Sequence, residues 1–235
     1  MKNAMITGIS SGLGLGFARA LLNADYRVFG VSRRGANLDH DSLYQVRADL
    51  AVLERLDEHV DRLLGSTRKL DLVILNAGIL GGIQSMQQTS VGDLKSIMNI
   101  NVWTNKVLLD LLIKREIAVD TVLLISSGAA VRGSFGWSGY ALSKAALNML
   151  TQLYAHEMPD ARLIALAPGL VDTAMQDVLC GEVDEDLFPS VSRLKEARGT
   201  AAMPSPDETA MHILDLLPKM AQLESGSFVD VRDLQ

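Results

Sequence analysis

Short apolar runs alternate with longer amphipathic stretches along almost the whole chain. Runs at Ala4–Ile6, Arg27–Val31, Leu43–Val46, Leu70–Leu75, Thr121–Ile125, Arg162–Ala165 and Ser227–Val229 have the length of strands. They are too uniformly apolar to alternate between inside and outside, as expected of strands covered on both faces. Between them, apolar residues recur at helical spacing near Leu13–Ala24, Ala51–Leu64, Val91–Lys114, Ser138–His156 and Pro206–Met220. Strand and helix in alternation predict a parallel sheet with right-handed crossovers. The expected architecture is one α/β domain over residues 1–235: a doubly wound, mainly parallel seven-stranded sheet with helices on both faces.

One stretch breaks this rhythm. Between Pro168 and Pro206 about forty residues carry no clear strand, long for an interruption in a compact domain. The stretch follows a strand, so it should emerge at the carboxyl edge of the sheet, where ligands bind in such folds. A substrate-covering lid with short helices is expected over approximately 170–205; a solvated surface excursion is the other reading. The segment carries the acidic cluster Glu182, Asp184, Glu185 and Asp186, then the basic Arg193, Lys195 and Arg198.

Composition narrows the function classes. The net charge is −6 and no basic stripe is present, which argues against nucleic acid as a partner. Cys180 is the only cysteine, so no intrachain disulfide can form, in keeping with a reducing compartment. The apolar run at the N-terminus is too short for a signal peptide, and nothing approaches the roughly 18 apolar residues of a membrane helix. The expectation is a cytoplasmic protein with no membrane partner. His40, His59, His156 and His212 are scattered without metal-ligand spacing, so no metal is expected.

The stretch Thr7-Gly8-Ile9-Ser10-Ser11-Gly12-Leu13-Gly14 follows the first strand and opens the first helix. That is the setting of a dinucleotide-binding turn. Glycines allow close backbone approach to a pyrophosphate, and a helix N-terminus offers free N–H groups and a positive dipole end. Gly8, Ser10, Ser11, Gly12, Leu13 and Gly14 are therefore candidate cofactor contacts. After the second strand, where an NAD-preferring site carries an acidic residue, the chain has Ser32-Arg33-Arg34. A guanidinium binds a 2′-phosphate bidentately and a carboxylate would repel it, so NADP(H) is expected over NAD(H). Asp49 and Leu50 sit where an adenine edge could be met; Asp49 could equally cap the next helix.

Tyr140 and Lys144 lie four apart, on one face of a helix. A phenol is a poor acid at neutral pH, and an ammonium close by would favour its phenolate. The pair could give or take a proton at a carbonyl or alcohol. Asn101 falls on the apolar face of its helix with Leu94 and Ile97, where a buried amide needs partners.

With these pieces in order, the sequence resembles the short-chain dehydrogenase/reductase family over essentially its whole length. The matching elements are Thr7-Gly8-x-x-x-Gly12-x-Gly14, Asn76-Ala77-Gly78, Asn101, Ser127, Tyr140-x-x-x-Lys144 and Pro168-Gly169. The resemblance implies a Rossmann-type domain and a hydride-transferring enzyme. In it, Tyr140 would be the general acid in reduction. Lys144 would bond the nicotinamide ribose and depress the Tyr140 pKa, and Ser127 would orient the substrate carbonyl. Asn101 would hold a water that relays protons from Lys144. Ser126 competes with Ser127, and the spacing to Tyr140 favours Ser127. Asn76, Ala77 and Gly78 would face the adenosine ribose side, and Val171 and Thr173, after Pro168-Gly169, the nicotinamide carboxamide.

Within the family, Ala167–Gln176 and Gly226–Val231 look most like the sepiapterin and benzil reductases. Asp230 matches the aspartate that anchors the pterin in the former. The substrate implied is a small ketone, dicarbonyl or pterin-like compound, with Phe135, Trp137 and Met175 as candidate pocket walls. An NAD-linked alcohol dehydrogenase of the same family and a non-catalytic NADP(H)-binding sensor are the alternatives. The resemblance also implies a homodimer or homotetramer, through the helices that carry Asn101 and Tyr140.

Overall fold

A computed structural model of the chain describes residues 1–184 and 187–234, with the Glu182 side chain left out. Glu185 and Asp186 of the acidic cluster therefore lie outside the described residues. Seven strands form one sheet in the order β3-β2-β1-β4-β5-β6-β7. They are β1 (Asn3–Thr7), β2 (Arg27–Ser32), β3 (Leu43–Arg47), β4 (Lys69–Leu75), β5 (Ala118–Ile125), β6 (Arg162–Ala167) and β7 (Phe228–Asp230). Every pairing is parallel. The uniform apolar strands have the cause read from the sequence. Successive residues point to opposite faces, and both faces are covered. Met5, Val73 and Leu75 pack on one side, towards α2 (Leu56–Leu64), α4 (Thr104–Lys114) and α5 (Ser138–Glu157). Ile6, Leu72 and Ile74 pack on the other, towards α1 (Gly12–Asn23) and α8 (Pro206–Asp215). The edge strand β3 departs from the pattern, with Tyr44, Gln45 and Arg47 exposed.

Two expected helices are broken. The stretch 91–114 is not one helix: α3 (Val91–Met98) and α4 are separated by a π-helical turn at Asn99–Trp103. Polar side chains intrude on the hydrogen-bond ladder there. Thr104 Oγ1 donates to the Asn99 carbonyl at 3.0 Å and to the Leu50 carbonyl at 2.7 Å. Asn105 Nδ2 donates to the Asn101 carbonyl at 2.8 Å. The second break divides 206–220 into α8 and α9 (Leu217–Met220). Pro218 lacks an N–H and crowds the preceding turn, which ends α8. At its start α8 is fixed by Pro206 at the first helical position and by a capping box. In the box, Ser205 N donates to Glu208 Oε2 at 2.9 Å, and Glu208 N to Ser205 Oγ at 3.3 Å.

The interruption after Pro168 carries α6 (Ala174–Glu182) and α7 (Pro189–Ala197). Its neck is closed by a backbone bond from Asp172 N to the Pro204 carbonyl, 3.0 Å. Arg198 ties the two arms, pairing with Asp172 at 3.6 Å and more tightly with Asp177. One stem meets the N-terminal part of α1 at Thr173, whose Cγ2 is 3.3 Å from where a Gly12 Cβ would be. The other meets it at Gly16, where any side chain would strike the Pro206 carbonyl.

The strand order reverses between β1 and β4, the position at which ligands bind in open α/β sheets. The fully buried Thr7 hydroxyl joins the two strand ends there. It accepts from Asn76 N at 2.9 Å and Ala77 N at 3.0 Å. Thr7→Val keeps the shape and leaves both donors without a partner, a loss of roughly 1–3 kcal/mol for such a group. The variant should therefore unfold at a lower urea midpoint with unchanged slope, measured by circular dichroism.

Candidate active site

At the switch point the backbone leaves no room for side chains. Gly8 has φ +79°, and a Cβ on it would lie 2.9 Å from Asn76 Nδ2. A Cβ on Gly14 would collide with the Gly8 carbonyl. Asn76 Nδ2 donates to the Thr7 carbonyl at 3.0 Å, locking the turn to β4. Ser11 has extended backbone and makes no side-chain cap to α1, so the free N–H groups at that helix start face the turn. Such a glycine-lined helix N-terminus fits a pyrophosphate.

Arg34 reaches this turn, with Nη2 donating to Ser11 Oγ at 3.4 Å. Arg33 is exposed beside it. Ser32 is buried, and its hydroxyl accepts from Gly35 N at 3.1 Å. Asp49 Oδ1 accepts from Ala51 N at 3.0 Å, so at least one oxygen serves the local turn. Leu50 is buried in the core.

The remaining residues gather at the ends of β5 and β6. Ser127 and Tyr140 are neighbours, close enough for the Ser127 hydroxyl to pull the pKa of the Tyr140 hydroxyl down. Ser127 Oγ also accepts from Ala129 N at 3.1 Å. Ser126 points elsewhere, donating to Asn148 Oδ1 at 2.5 Å. Lys144 is buried; its Nζ lies 5.6 Å from the Tyr140 ring centroid and donates to the Ile125 carbonyl at 2.6 Å. The helical spacing thus brings the pair together as expected. The expected sense of the Tyr140 shift is corrected, because burial pushes its hydroxyl up and only the Ser127 hydroxyl pulls it back. The ammonium faces the ring and a carbonyl, and burial lowers the Lys144 pKa to about 8.

Asn101 is fully buried in the π-helical turn. Its Oδ1 accepts from Ile79 N at 2.8 Å, and its Nδ2 donates to the Ile79 carbonyl and to Ser143 Oγ, both at 2.9 Å. The side chain clamps Ile79, the residue that follows Asn76–Gly78, to α5. Gly78 lies inside that clamp: a Cβ on it would be 3.2 Å from Asn101 Oδ1 and 3.6 Å from Lys144 Nζ. Ser143 is the partner that sequence reasoning missed, and Thr7 enters it only as part of the glycine-rich motif, without its hydroxyl. Both hydroxyls show their role only through contacts distant in sequence.

A third apolar cluster, apart from the two sheet faces, covers Tyr140. Leu80, Leu179, Leu194 and Met203 form it, with Trp137, Tyr140 and Met175 packed against them. The Trp137 and Tyr140 ring centroids are 6.0 Å apart. Phe135 is largely exposed and stacks on Phe188. A cavity of about 590 Å³ adjoins this cluster through Leu170 and Met203 and extends past Pro168 and Gly169 to Arg232. Val171 is buried. Asp230 is held by Arg232, with Nε donating to Oδ1 at 2.7 Å and Nη2 to Oδ2 at 2.5 Å, which keeps its carboxyl below the usual range. Among the described residues no three of His, Cys, Asp and Glu group as metal ligands, and no helix is long and apolar enough to cross a membrane.

The short chain dehydrogenase family profile matches residues 2–182. The chain belongs to the short-chain dehydrogenase family. It is 32% identical over 244 residues to a benzil reductase ((S)-benzoin forming) of Bacillus subtilis (strain 168), covering 99% of each chain. It is 30% identical over 257 residues to the sepiapterin reductase of Bos taurus, covering 97% of this chain and 94% of that one. The crystal structure of YIR035C from Saccharomyces cerevisiae superposes with a TM-score of 0.88 at 25% identity, over 99% of this chain and 97% of that one. The protein is thus a nicotinamide-dependent oxidoreductase of this family.

The Lys144 shift has a consequence for stability. An ammonium that titrates near 10.5 when unfolded and at about 8 when folded opposes folding at every pH below 8. The penalty is roughly 3 kcal/mol and is relieved as pH rises from 8 to 10.5, where the unfolded chain binds the extra proton. Lys144→Met is expected to be more stable than the wild type at pH 7. That advantage should shrink as pH is raised through this window, followed by urea titration at each pH.

Proposed function

We propose that the protein is an NADPH-dependent carbonyl reductase acting on a small ketone or dicarbonyl compound. The observation that carries this reading is Tyr140 with Ser127 as its neighbour, the buried Lys144 ammonium 5.6 Å from its ring and an apolar cluster around it. When bound, the nicotinamide cofactor supplies the hydride that reaches the carbonyl carbon. Ser127 holds the substrate oxygen by a hydrogen bond that strengthens as negative charge develops. Tyr140 gives its proton to that oxygen. Its raised pKa keeps the phenol protonated at neutral pH, which suits a donor. Lys144, lowered to about 8 by burial but still charged at neutral pH, replaces the proton on Tyr140. Asn101 acts by holding the segment against which Lys144 sits.

Preference for NADPH rests on Arg34, which reaches the glycine-rich turn, and on Arg33 beside it; no carboxylate stands there to oppose a 2′-phosphate. The segment 170–205 serves as the lid over the substrate, since its helices supply the apolar cover of Tyr140. Leu142, Met149 and Leu153, exposed along α5, with Trp103 at the end of the π-helical turn, support association of copies through these helices.

Tyr140→Phe should abolish turnover at the nicotinamide absorbance while NADPH binding, measured by fluorescence titration, stays within about threefold. Normal turnover in that variant would refute the mechanism. Arg33→Ala with Arg34→Ala should raise the Kd for NADPH about tenfold or more and leave that for NADH nearly unchanged. Equal effects on the two cofactors would overturn the 2′-phosphate assignment.

A further inference from the structure

The first turn of α5 is tied to the start of α7 in a way the catalytic chemistry does not require. Trp137 Nε1, three residues before Tyr140, donates to Ser190 Oγ at 2.8 Å. The Phe135 and Phe188 rings stack with centroids 5.4 Å apart and planes 20° apart. Between these contacts lies Gly136, with φ +92°. A Cβ there would collide with the Phe188 ring and stand 3.0 Å from Ile83 Cγ2, so the ring is seated on bare backbone. From the opposite side, Gln84 N donates to the Gly136 carbonyl at 3.0 Å, and Ser138 Oγ donates to the Gln84 carbonyl at 3.1 Å. Segments distant in sequence therefore converge on one glycine and hold an aromatic pair at the Phe135–Trp137 stretch, and the Trp137 ring centroid lies 6.0 Å from that of Tyr140.

We propose that Phe188, seated on Gly136 and stacked on Phe135, is a specificity-determining residue that selects carbonyl compounds bearing a flat aromatic substituent. The proposal rests on the carbonyl reductase reading and names the substrate class of that site. Phe135 is 62% exposed, so the stacked pair keeps open aromatic surface. An aryl group adjoining the carbonyl extends the stack in offset or edge-on geometry, whereas an alkyl group gains only buried area. The Trp137–Ser190 hydrogen bond fixes α7 relative to Tyr140, so the distance from reacting carbonyl to aromatic wall is set by the fold. Trp137 and Ser190 are positioning residues for this wall.

The test compares 2,3-butanedione, 1-phenyl-1,2-propanedione and benzil as substrates of the wild type and of Phe188→Ala, Phe188→Tyr and Ser190→Ala. Phe188→Ala should lower kcat/KM for the two aryl diketones about tenfold, mostly through KM, and leave butanedione within about twofold. Phe188→Tyr should restore aryl selectivity. Ser190→Ala, which removes only a hydroxyl, should shift selectivity in the same direction by a smaller factor, and serves where Phe188→Ala does not fold. An equal fall on all three substrates, an unchanged aryl preference in both Phe188→Ala and Ser190→Ala, or a wild type that prefers butanedione would each overturn the proposal. A wild type that oxidises NADPH with none of these or any other carbonyl would instead overturn the reductase reading itself.

Discussion

Everything at the site depends on how closely the ends of β1 and β4 approach each other. These strands lie side by side where the sheet order reverses, and the Thr7 hydroxyl satisfies two N–H groups of the facing strand end. That contact holds the Asn76–Gly78 backbone against the glycine-rich turn. The turn can pack so tightly only because positions 8 and 14 carry no side chain. From this one junction the α1 N-terminus faces the carboxyl edge, and Gly78 is placed within reach of Asn101 and Lys144. The proposed nucleotide and proton-handling sites therefore share a wall, as hydride transfer coupled to proton transfer requires.

Most of the frame was readable because its causes are local. Doubly covered strands must be apolar throughout, so β1, β4, β5 and β6 announced themselves. The four-residue spacing of Tyr140 and Lys144 needs only a helix to bring them together. What escaped depends on partners distant in sequence. No glycine or proline marks the π-helical turn at Asn99–Trp103; the Thr104 and Asn105 side chains that open it look ordinary until Leu50 and the Asn101 carbonyl are beside them. The division between α8 and α9 was signalled by Pro218, whose effect a strong apolar period concealed. The sense of the Tyr140 shift was misjudged for a related reason. Spacing placed an ammonium near the ring, but it could not say that the ammonium donates to the Ile125 carbonyl or that burial dominates.

Burying Lys144 is a cost that packing alone would not select. A leucine or methionine at that place would fill the same space without desolvating a charge. The position lies where the loss is tolerable, between a well-packed helix and the end of a central strand. In the proposed mechanism the cost of holding an ammonium there is offset by a group that can exchange a proton at about pH 8.

The neck of the segment 170–205 carries a different implication. Asp172 and Pro204 close it with a backbone bond, and its stems abut α1 at Gly12 and Gly16. Closing a loop carries an entropic penalty that grows only slowly with its length, and here the ends are already pinned to a helix of the cofactor side. The segment's length can therefore change at little entropic cost. What cannot be changed freely is its inner face, because Leu179 and Leu194 share one apolar cluster with Leu80 and Tyr140, and Ser190 bonds Trp137. The segment is thus anchored twice, at its ends by backbone and at its centre by side chains, and only the stretches between those anchors are free to diverge.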